Sequence, residues 1–135
     1  MGWASVPFKS RTLMSLPKQL VTGTLPNGLR YMLMPNAQPS GRAEIRLVLN
    51  VGSAAEKTHQ HGHAHFIEHL AFGGTQSYPQ REMVSFWEQH GMKFGQDINA
   101  MTGYDRTVYQ TAVPSLPNDM ELLEQSLPMV AEWLD

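Results

Sequence analysis

The sequence predicts an α+β fold, in which a mixed sheet packs against helices, from the order of its elements. Residues 19–36 contain two extended runs, and side chains alternate with a period of two in 43–53 and in the second half of 95–113, which is typical of strands. Between these regions and after residue 116, apolar residues recur at helical spacing. The resulting order, βββααββα, fits the 135 residues and 41% hydrophobic content of one ordinary domain with a single core.

Five strands are predicted, of which the first two form a hairpin. Pro26, Asn27 and Gly28 separate two extended runs within residues 19–36, and Asn-Gly favours a hairpin because both positions of a two-residue turn prefer positive φ. The third strand lies within 43–53, and the last two lie within 95–113. On the third and fifth strands one face collects the inward side chains: Ile45, Leu47 and Leu49, and Thr107, Tyr109, Thr111 and Val113.

Three helices are predicted from apolar spacing and from their end signals. The first covers 62–72, and the second starts at Pro79 and ends at Gly91. The third lies within 116–135, where Pro128 is expected to kink or divide it. The residues predicted to face the core are, helix by helix, Ala64, Ile67, Leu70 and Ala71; Met83, Phe86 and Trp87; and Leu123, Leu127, Val130 and Leu134.

Composition and charge exclude several classes of function. The net charge is −2 and no basic residues cluster, so the sequence has no electrostatic footprint for nucleic acid or anionic lipid. The chain has no cysteine, which excludes disulfides, thiolate zinc sites and cysteine nucleophiles. No apolar run approaches the roughly 18 residues of a membrane span, and the first ten residues lack the apolar core of a signal peptide. Neither nucleic acid nor a membrane is therefore expected as a partner.

The segment HFIEH, residues 65–69, has the spacing of a metal site with its own base. On a helix, His65 and His69 lie on one face with Cβ atoms about 5 to 6 Å apart, so both can bind one ion. Zn²⁺ accepts imidazole ligands and lowers the pKa of a bound water to about 7. Glu68 projects toward the same face, where it can take the proton from that water and pass it to a leaving amine.

The other four histidines have simpler interpretations. His59, His61 and His63 alternate through a loop and a helix start, a pattern that more often makes an adventitious chelate than a functional site. A plain metal-binding domain built on this tract, HQHGHAH, stays open as an alternative. His90 precedes a helix-ending glycine, where a cation favours the helix dipole, so a capping role is expected.

Together with its surroundings, HFIEHLAFGGT resembles the inverted zinc-peptidase motif, HxxEH, of the pitrilysin/insulinase family. Upstream, TLPNGLRYMLMPN and LVLNVGSAAE resemble the family's opening strands and the Gly-Ser that precedes its metal helix. Downstream, YPQREMVSFWEQHGMKFGQDINAMTGYDRTVYQTAVP resembles its second helix and a strand with an Asn-Ala pair. The resemblance covers about residues 20–135 and is strongest to periplasmic bacterial members.

This resemblance implies a zinc metalloendopeptidase that cleaves peptide or protein substrates. It gives His65 and His69 the role of zinc ligands and Glu68 that of the general base, in agreement with the helical spacing. Residues 1–18 become an N-terminal extension, and 19–135 become the first portion of a metallopeptidase domain. A periplasmic location follows from the same resemblance.

The substrate is expected to bind as an added strand. By resemblance, residues 97–101 form an edge strand, with Asn99 and Ala100 nearest to the scissile bond. Such β-augmentation is physically reasonable, because main-chain hydrogen bonds hold a peptide with little demand on its sequence. An ordinary strand without this role is the competing interpretation.

Two parts of the family's site are expected outside the sequence. Family members have a third zinc ligand, a Glu roughly 75 residues beyond the second His, which puts it beyond residue 135. Glu121, Glu124 and Glu132 lie before that point and are interpreted as the solvated face of a helix. A homologous second half, whose residues help to polarise the substrate carbonyl, is expected as a partner.

The missing parts lead to two expectations for the isolated chain. It should hydrolyse peptides poorly or not at all, and apolar surface that lacks its normal cover should cause self-association or marginal stability. An alternative class of function is a non-catalytic peptide-binding or scaffold half of a pitrilysin-like assembly. Loss of HxxEH is the expected mark of such a half, and here the motif is intact.

Overall fold

The computed structural model describes residues 18–116 and 119–134. The chain divides into two compact units, Met1–Ser40 and Gly41–Asp135. The expected N-terminal extension, residues 1–18, lies outside the described residues apart from Lys18. Its boundary with a domain over 19–135 therefore stays a prediction.

The described part of the first unit is the predicted hairpin. Strands β1 (Val21–Thr24) and β2 (Arg30–Leu33) pair antiparallel. Pro26, Asn27 and Gly28 lie between the strands as predicted, closed by the bond from the Leu25 N–H to the Leu29 carbonyl at 2.8 Å, but only Gly28 takes a positive φ, of 90°. Asn27 instead uses its side chain, whose Oδ1 accepts the Leu29 N–H at 3.1 Å, and this local bond stabilises the turn.

A three-stranded antiparallel sheet lies in the second unit. Strands β3 (Arg42–Leu49), β4 (Ile98–Thr102) and β5 (Thr107–Pro114) are arranged in the order β3-β5-β4. Alternate residues of β5 are buried, as their β-branched and aromatic side chains predict. The predicted inward faces are confirmed: Ile45, Leu47 and Leu49 on β3, and Thr107, Tyr109, Thr111 and Val113 on β5.

Helices α1 (His63–Ala71), α2 (Glu82–Gln89) and α3 (Glu121–Ala131) complete the unit. Together with the strands they give the predicted order and the α+β class. Three short 3-10 turns flank α1 and α3: Ser53–Ala55, Thr58–Gln60 and Glu132–Leu134. Among the described residues, none of these helices has the length and apolar character required to cross a bilayer.

The core is centred on α2 and on two tryptophans. Trp87 is fully buried, and its Nε1 donates to Ser126 Oγ on α3 at 2.9 Å. The ring of Trp133 stacks on that of Tyr109, with centroids 4.9 Å apart, and so ties the end of α3 to the sheet. The other large buried side chains are Leu47, Phe72, Met83, Val84, Met92, Ile98, Val113, Met129 and Val130.

The predicted core face of α1 is wrong for two residues. Ile67 and Leu70 are 58% and 54% exposed, and the one buried residue of the helix is Glu68. The helix meets β4 through its polar side because Thr102 on that strand donates a hydrogen bond to Glu68. Ala64 and Ala71, the small members of the predicted stripe, are half-buried as expected.

The start of α2 was also predicted wrongly, whereas its end was predicted correctly. Gln80 and Arg81 take positive φ values of 52° and 65°, so the helix begins at Glu82 rather than at Pro79. At the other end Gly91, with a φ of 82°, donates its N–H to the Glu88 carbonyl. This geometry is a Schellman cap, for which glycine is favoured.

In α3 the buried stripe differs from the predicted one. Leu127 and Leu134 are 51% and 40% exposed, while Val130 is buried as predicted. The helix continues through Pro128 without division and passes into the 3-10 turn only at Glu132. The residues that face the core are Ser126, Met129, Val130 and Trp133.

Candidate metal centre

His65 and His69 converge on one face of α1. Their Nε2 atoms are 3.0 Å apart and both side chains are exposed. Two imidazole nitrogens at about 2.0 to 2.1 Å from a tetrahedral zinc would be about 3.3 Å apart. A change of a few tenths of an ångström therefore converts this pair into the two-nitrogen bite of such an ion.

Glu68 lies on the same helix and is buried, with 7% of its surface exposed. Thr102 Oγ1 on β4 donates a hydrogen bond to Glu68 Oε2, which fixes the carboxylate against the sheet. Burial raises the pKa of the neighbouring Tyr109 hydroxyl, and the negative charge of Glu68 raises it further. Each effect disfavours a second negative charge beside Glu68.

An open cleft of about 370 Å³ lies between α1 and the end of β4. His65 and Glu68 line its helical side, and Ala100 and Thr102 line the opposite side. One cleft is thus lined by the predicted base, Glu68, by one predicted metal ligand, His65, and by one predicted substrate contact, Ala100. Asn99, the other predicted substrate contact, is not part of the lining.

Asn99 and Ala100 lie in β4, as predicted, but they differ in orientation. The hydrogen bonds of Asp97 and Gly103 to β5 show that odd-numbered residues direct their backbone groups to that strand. Ala100 therefore directs its N–H and C=O to the outer edge of β4. This N–H donates to Oδ1 of Asn99 at 2.9 Å, so a side chain already occupies part of the edge.

Two of the remaining histidines, His63 and His90, make local hydrogen bonds of their own. His63 Nδ1 is 2.7 Å from the Gln60 carbonyl, at the start of α1. His90 caps α2, with Nδ1 2.8 Å from the Phe86 carbonyl oxygen, which matches its expected role. These contacts are local and bring neither residue to the cleft.

The acidic residues of the last helix do not complete the centre. Glu132 was interpreted as solvated, but it is half-buried and accepts a hydrogen bond from Ser77 Oγ at 2.8 Å. That bond lowers the pKa of the Glu132 carboxyl. Glu121 accepts from Gln125 within the helix. Across residues 18–116 and 119–134, no three histidine or acidic side chains come together as a metal site.

Comparison with known proteins identifies the family. Residues 31–135 match the family model described as "Insulinase (Peptidase family M16)". The chain belongs to this family. The resemblance seen in HFIEHLAFGGT and its surroundings is therefore confirmed.

Among relatives of this M16 chain is the "Probable zinc protease PqqL" of Escherichia coli, which is 40% identical over 116 residues. The match covers 86% of the chain but only 12% of that relative. A crystal structure of the first half of the periplasmic protease PqqL from Escherichia coli aligns with a TM-score of 0.80 at 40% identity, over 86% of this chain and 24% of that one. This agreement confirms the predicted fold.

A second similar structure is that of the ferredoxin protease FusC, as a mutant in complex with Arabidopsis ferredoxin. It aligns with a TM-score of 0.73 at 34% identity and covers 84% of this chain and 12% of that one. The M16 chain thus spans about an eighth of the full-length proteins that it resembles.

Sequence reasoning missed two residues of the cleft in this M16 chain. Thr102 was placed within the strand region 95–113 without a role, and Glu56 was not singled out. Backbone N–H groups of Ala64 and Gly62 hold the pKa of the Glu56 carboxyl below its ordinary value. The sequence did contain a signal. Gly62 begins the helix but has no side chain that could cap it, and Glu56 is an acidic residue shortly before it.

Proposed function

We propose that the chain is the metal-binding and base-carrying segment of a zinc metalloendopeptidase. The observation that carries this proposal is the 3.0 Å approach of His65 Nε2 to His69 Nε2, one helical turn around a buried Glu68. The relative named a probable zinc protease supports the choice of metal. The relative's periplasmic description supports the same compartment for this chain.

His65 and His69 would hold the ion through Nε2, and both rings must be neutral to do so. Bound there, zinc supplies a water of lowered pKa and a Lewis acid for the substrate carbonyl. Glu68 accepts a proton from the attacking water and later returns it to the leaving amine. Thr102 keeps the carboxylate of Glu68 turned toward the cleft by donating to Oε2.

The proposed substrate is an extended peptide or protein segment that adds to the outer edge of β4. Ala100 offers backbone groups at this edge, next to the cleft. Because Asn99 Oδ1 accepts the Ala100 N–H, its side chain must rotate away before a peptide can pair there. Asn99 is then free to bond the substrate, which gives it a role in binding.

The third metal ligand and the second homologous half are proposed to come from other parts of a longer protein. The small share of each relative that the chain covers supports this view. With two histidines alone the chain should bind zinc weakly and show little peptidase activity.

A competition titration of zinc into the purified chain, run beside His69→Ala, tests the metal centre. Affinity in the micromolar range or weaker, lost in the variant, is the expected result for two ligands. The matched control is His59→Ala/His61→Ala, which alters the other histidine tract. A greater loss in this control than in His69→Ala would favour the plain metal-binding domain instead.

The catalytic roles require a longer protein that includes this segment. There Glu68→Gln should abolish peptide hydrolysis while zinc remains bound. Thr102→Val should lower kcat by roughly 10- to 100-fold with a small change in KM, because outer partners of a metal site typically contribute about that much. Unchanged peptide affinity in the presence of chelator, together with no cleavage, would favour the non-catalytic alternative.

A further inference from the structure

We infer that Glu56 is a positioning residue for the metal-binding helix, an inference that rests on the proposed metal role of His65 and His69. The Glu56 side chain is only 7% exposed. Its Oε2 accepts the Gly62 N–H at 2.8 Å, and its Oε1 accepts the Ala64 N–H at 2.9 Å. Both carboxylate oxygens are thus bonded to the backbone at the start of α1.

The start of α1 depends on such an outside partner. The first four N–H groups of a helix have no partner within it, and an Asp, Asn, Ser or Thr at the N-cap usually accepts one of them. Here the N-cap is Gly62, in a left-handed conformation with φ of 88°, and it has no side chain to do this. Glu56 bonds the N–H groups of this N-cap and of Ala64 in the first turn, and brings a negative charge to the positive end of the helix dipole.

Glu56 is itself fixed to the sheet. Its segment follows Gly52, and the next two N–H groups, of Ser53 and Ala54, donate to carbonyls in the β4–β5 turn at 3.0 and 2.8 Å. A Cβ on Gly52 would lie 2.3 Å from the Gly103 carbonyl oxygen, so this close approach requires glycine. The Glu56 N–H then donates to the Ser53 carbonyl at 3.2 Å.

The consequence for the metal centre is geometric. His65 directly follows Ala64 and lies in the first turn of α1, where helices fray most readily. Its partner His69 lies one turn further along. Loss of the Glu56 bonds should therefore release His65 before His69 and open the 3.0 Å pair. Through the β4–β5 turn, Glu56 also sets the helix start relative to β4, which holds Glu68 through Thr102.

The experiment compares Glu56→Ala and Glu56→Gln with the unaltered chain by two measurements. Amide hydrogen exchange of the metal-free chain reports the cap at Ala64, and Met92 serves as reference because its N–H donates to Trp87 within the cap of α2. Competition titration reports the affinity for zinc alone. The matched control is Glu82→Ala, which removes an exposed carboxylate from the first turn of α2.

In Glu56→Ala, exchange at Ala64 should accelerate and zinc affinity should fall, each by roughly 3- to 30-fold, the range expected for loss of a helix cap. Exchange at Met92 should not change, since general destabilisation would accelerate both amides. Glu56→Gln should lie between Glu56→Ala and the unaltered chain, because an amide oxygen can still accept one N–H. Glu82→Ala should leave both readouts unchanged.

Unchanged exchange at Ala64 in Glu56→Ala would overturn the inference. So would a complete loss of zinc in both Glu56 variants with normal exchange, because that result identifies a metal ligand. If the unaltered chain binds no zinc, the proposed metal role fails and the positioning role fails with it, while exchange at Ala64 still decides whether Glu56 caps α1. Should Glu56→Ala not fold, Glu56→Gln gives the decision from the same two readouts.

Discussion

Helices α1 and α2 are nine and eight residues long and lie close in sequence, yet they are held in opposite ways. The buried residues of α2 are Met83, Val84 and Trp87, so apolar packing holds it in the core. Helix α1 buries a carboxylate, Glu68, and leaves apolar side chains in solvent. Apolar burial within α1 is limited to the half-buried Ala64 and Ala71, so polar contacts must contribute to its position.

The ends of the two helices show the same contrast. Helix α2 closes with local groups, namely the N–H groups of Gly91 and Met92 and the side chain of His90. Helix α1 also closes with local backbone bonds, such as that from the Gly73 N–H to the Leu70 carbonyl, but it adds side chains from distant parts of the sequence. Glu56 bonds its start, and Trp133 Nε1 donates to the Ala71 carbonyl at 3.1 Å at its end. Hydrogen bonds are directional, so these contacts fix the rotation of α1 about its axis and keep His65 at the cleft, with His69 beside it.

Trp87→Ala should have the largest effect on stability, because it removes most of the apolar packing that holds α2 in the core. The ring is fully buried and its Nε1 bonds Ser126, so the substitution leaves a large cavity and removes that donor. We expect a loss of about 3 to 5 kcal/mol in the free energy of unfolding, measured by urea denaturation. A loss below about 1 kcal/mol would show that α2 is not the centre of the core.

Acid should separate the two helices, because the start of α1 is held by the carboxylate of Glu56, whereas α2 is held by apolar packing in the core. The pKa of Glu56 in the folded chain lies below its ordinary value of 4.5, chiefly because Ala64 and Gly62 donate to it. The stabilisation is therefore complete above that ordinary value and is lost as the pH falls through the lower, folded value. As the pH falls through the folded pKa of Glu56, and before the core unfolds in acid, the protection of the Ala64 amide relative to its intrinsic exchange rate should fall, while Met92 stays protected.

The matched control for the acid prediction is Glu56→Gln. In this variant the Ala64 amide should already be less protected from exchange at neutral pH. Mild acidification should cause no further loss of that protection. Loss of protection at both amides over one pH range, in the unaltered chain and the variant alike, would contradict a separate acid response of α1.

The sequence predicted those features that depend on spacing along one element. Alternation placed Tyr109 and Val113 on the buried face of β5, and the interval between His65 and His69 brought two nitrogens together. Gly91 marked the end of α2 because a glycine takes the left-handed conformation without strain. Each of these signals is local and needs no knowledge of the partner.

The features that depend on contacts between distant residues were missed. The inward side of α1 is decided by the bond between Glu68 and Thr102, so an apolar stripe containing Ile67 and Leu70 gave the wrong face. In α3 the inward stripe includes Ser126, which is polar and becomes suited to the core because its hydroxyl accepts from Trp87 and donates to the Leu122 carbonyl. The start of α2 depends on left-handed conformations at non-glycine residues, which sequence preferences do not favour.

The smallest effect is expected on the exposed face of α1, where Leu70→Gln sharpens the comparison with Met83→Gln in α2. Leu70 is 54% exposed, so its substitution should change the free energy of unfolding by less than about 0.5 kcal/mol, as is usual at the surface. Met83 is 1% exposed, and an amide in its place should cost about 2 kcal/mol or more. Urea denaturation of both variants at two protein concentrations measures the difference.

If Leu70→Gln destabilises the chain only at the higher concentration, then a second copy covers this face, and the expected self-association has its site on Phe66, Ile67 and Leu70. If the loss is equal at both concentrations and close to that of Met83→Gln, the face is covered within the chain itself, and the distinction between α1 and α2 fails.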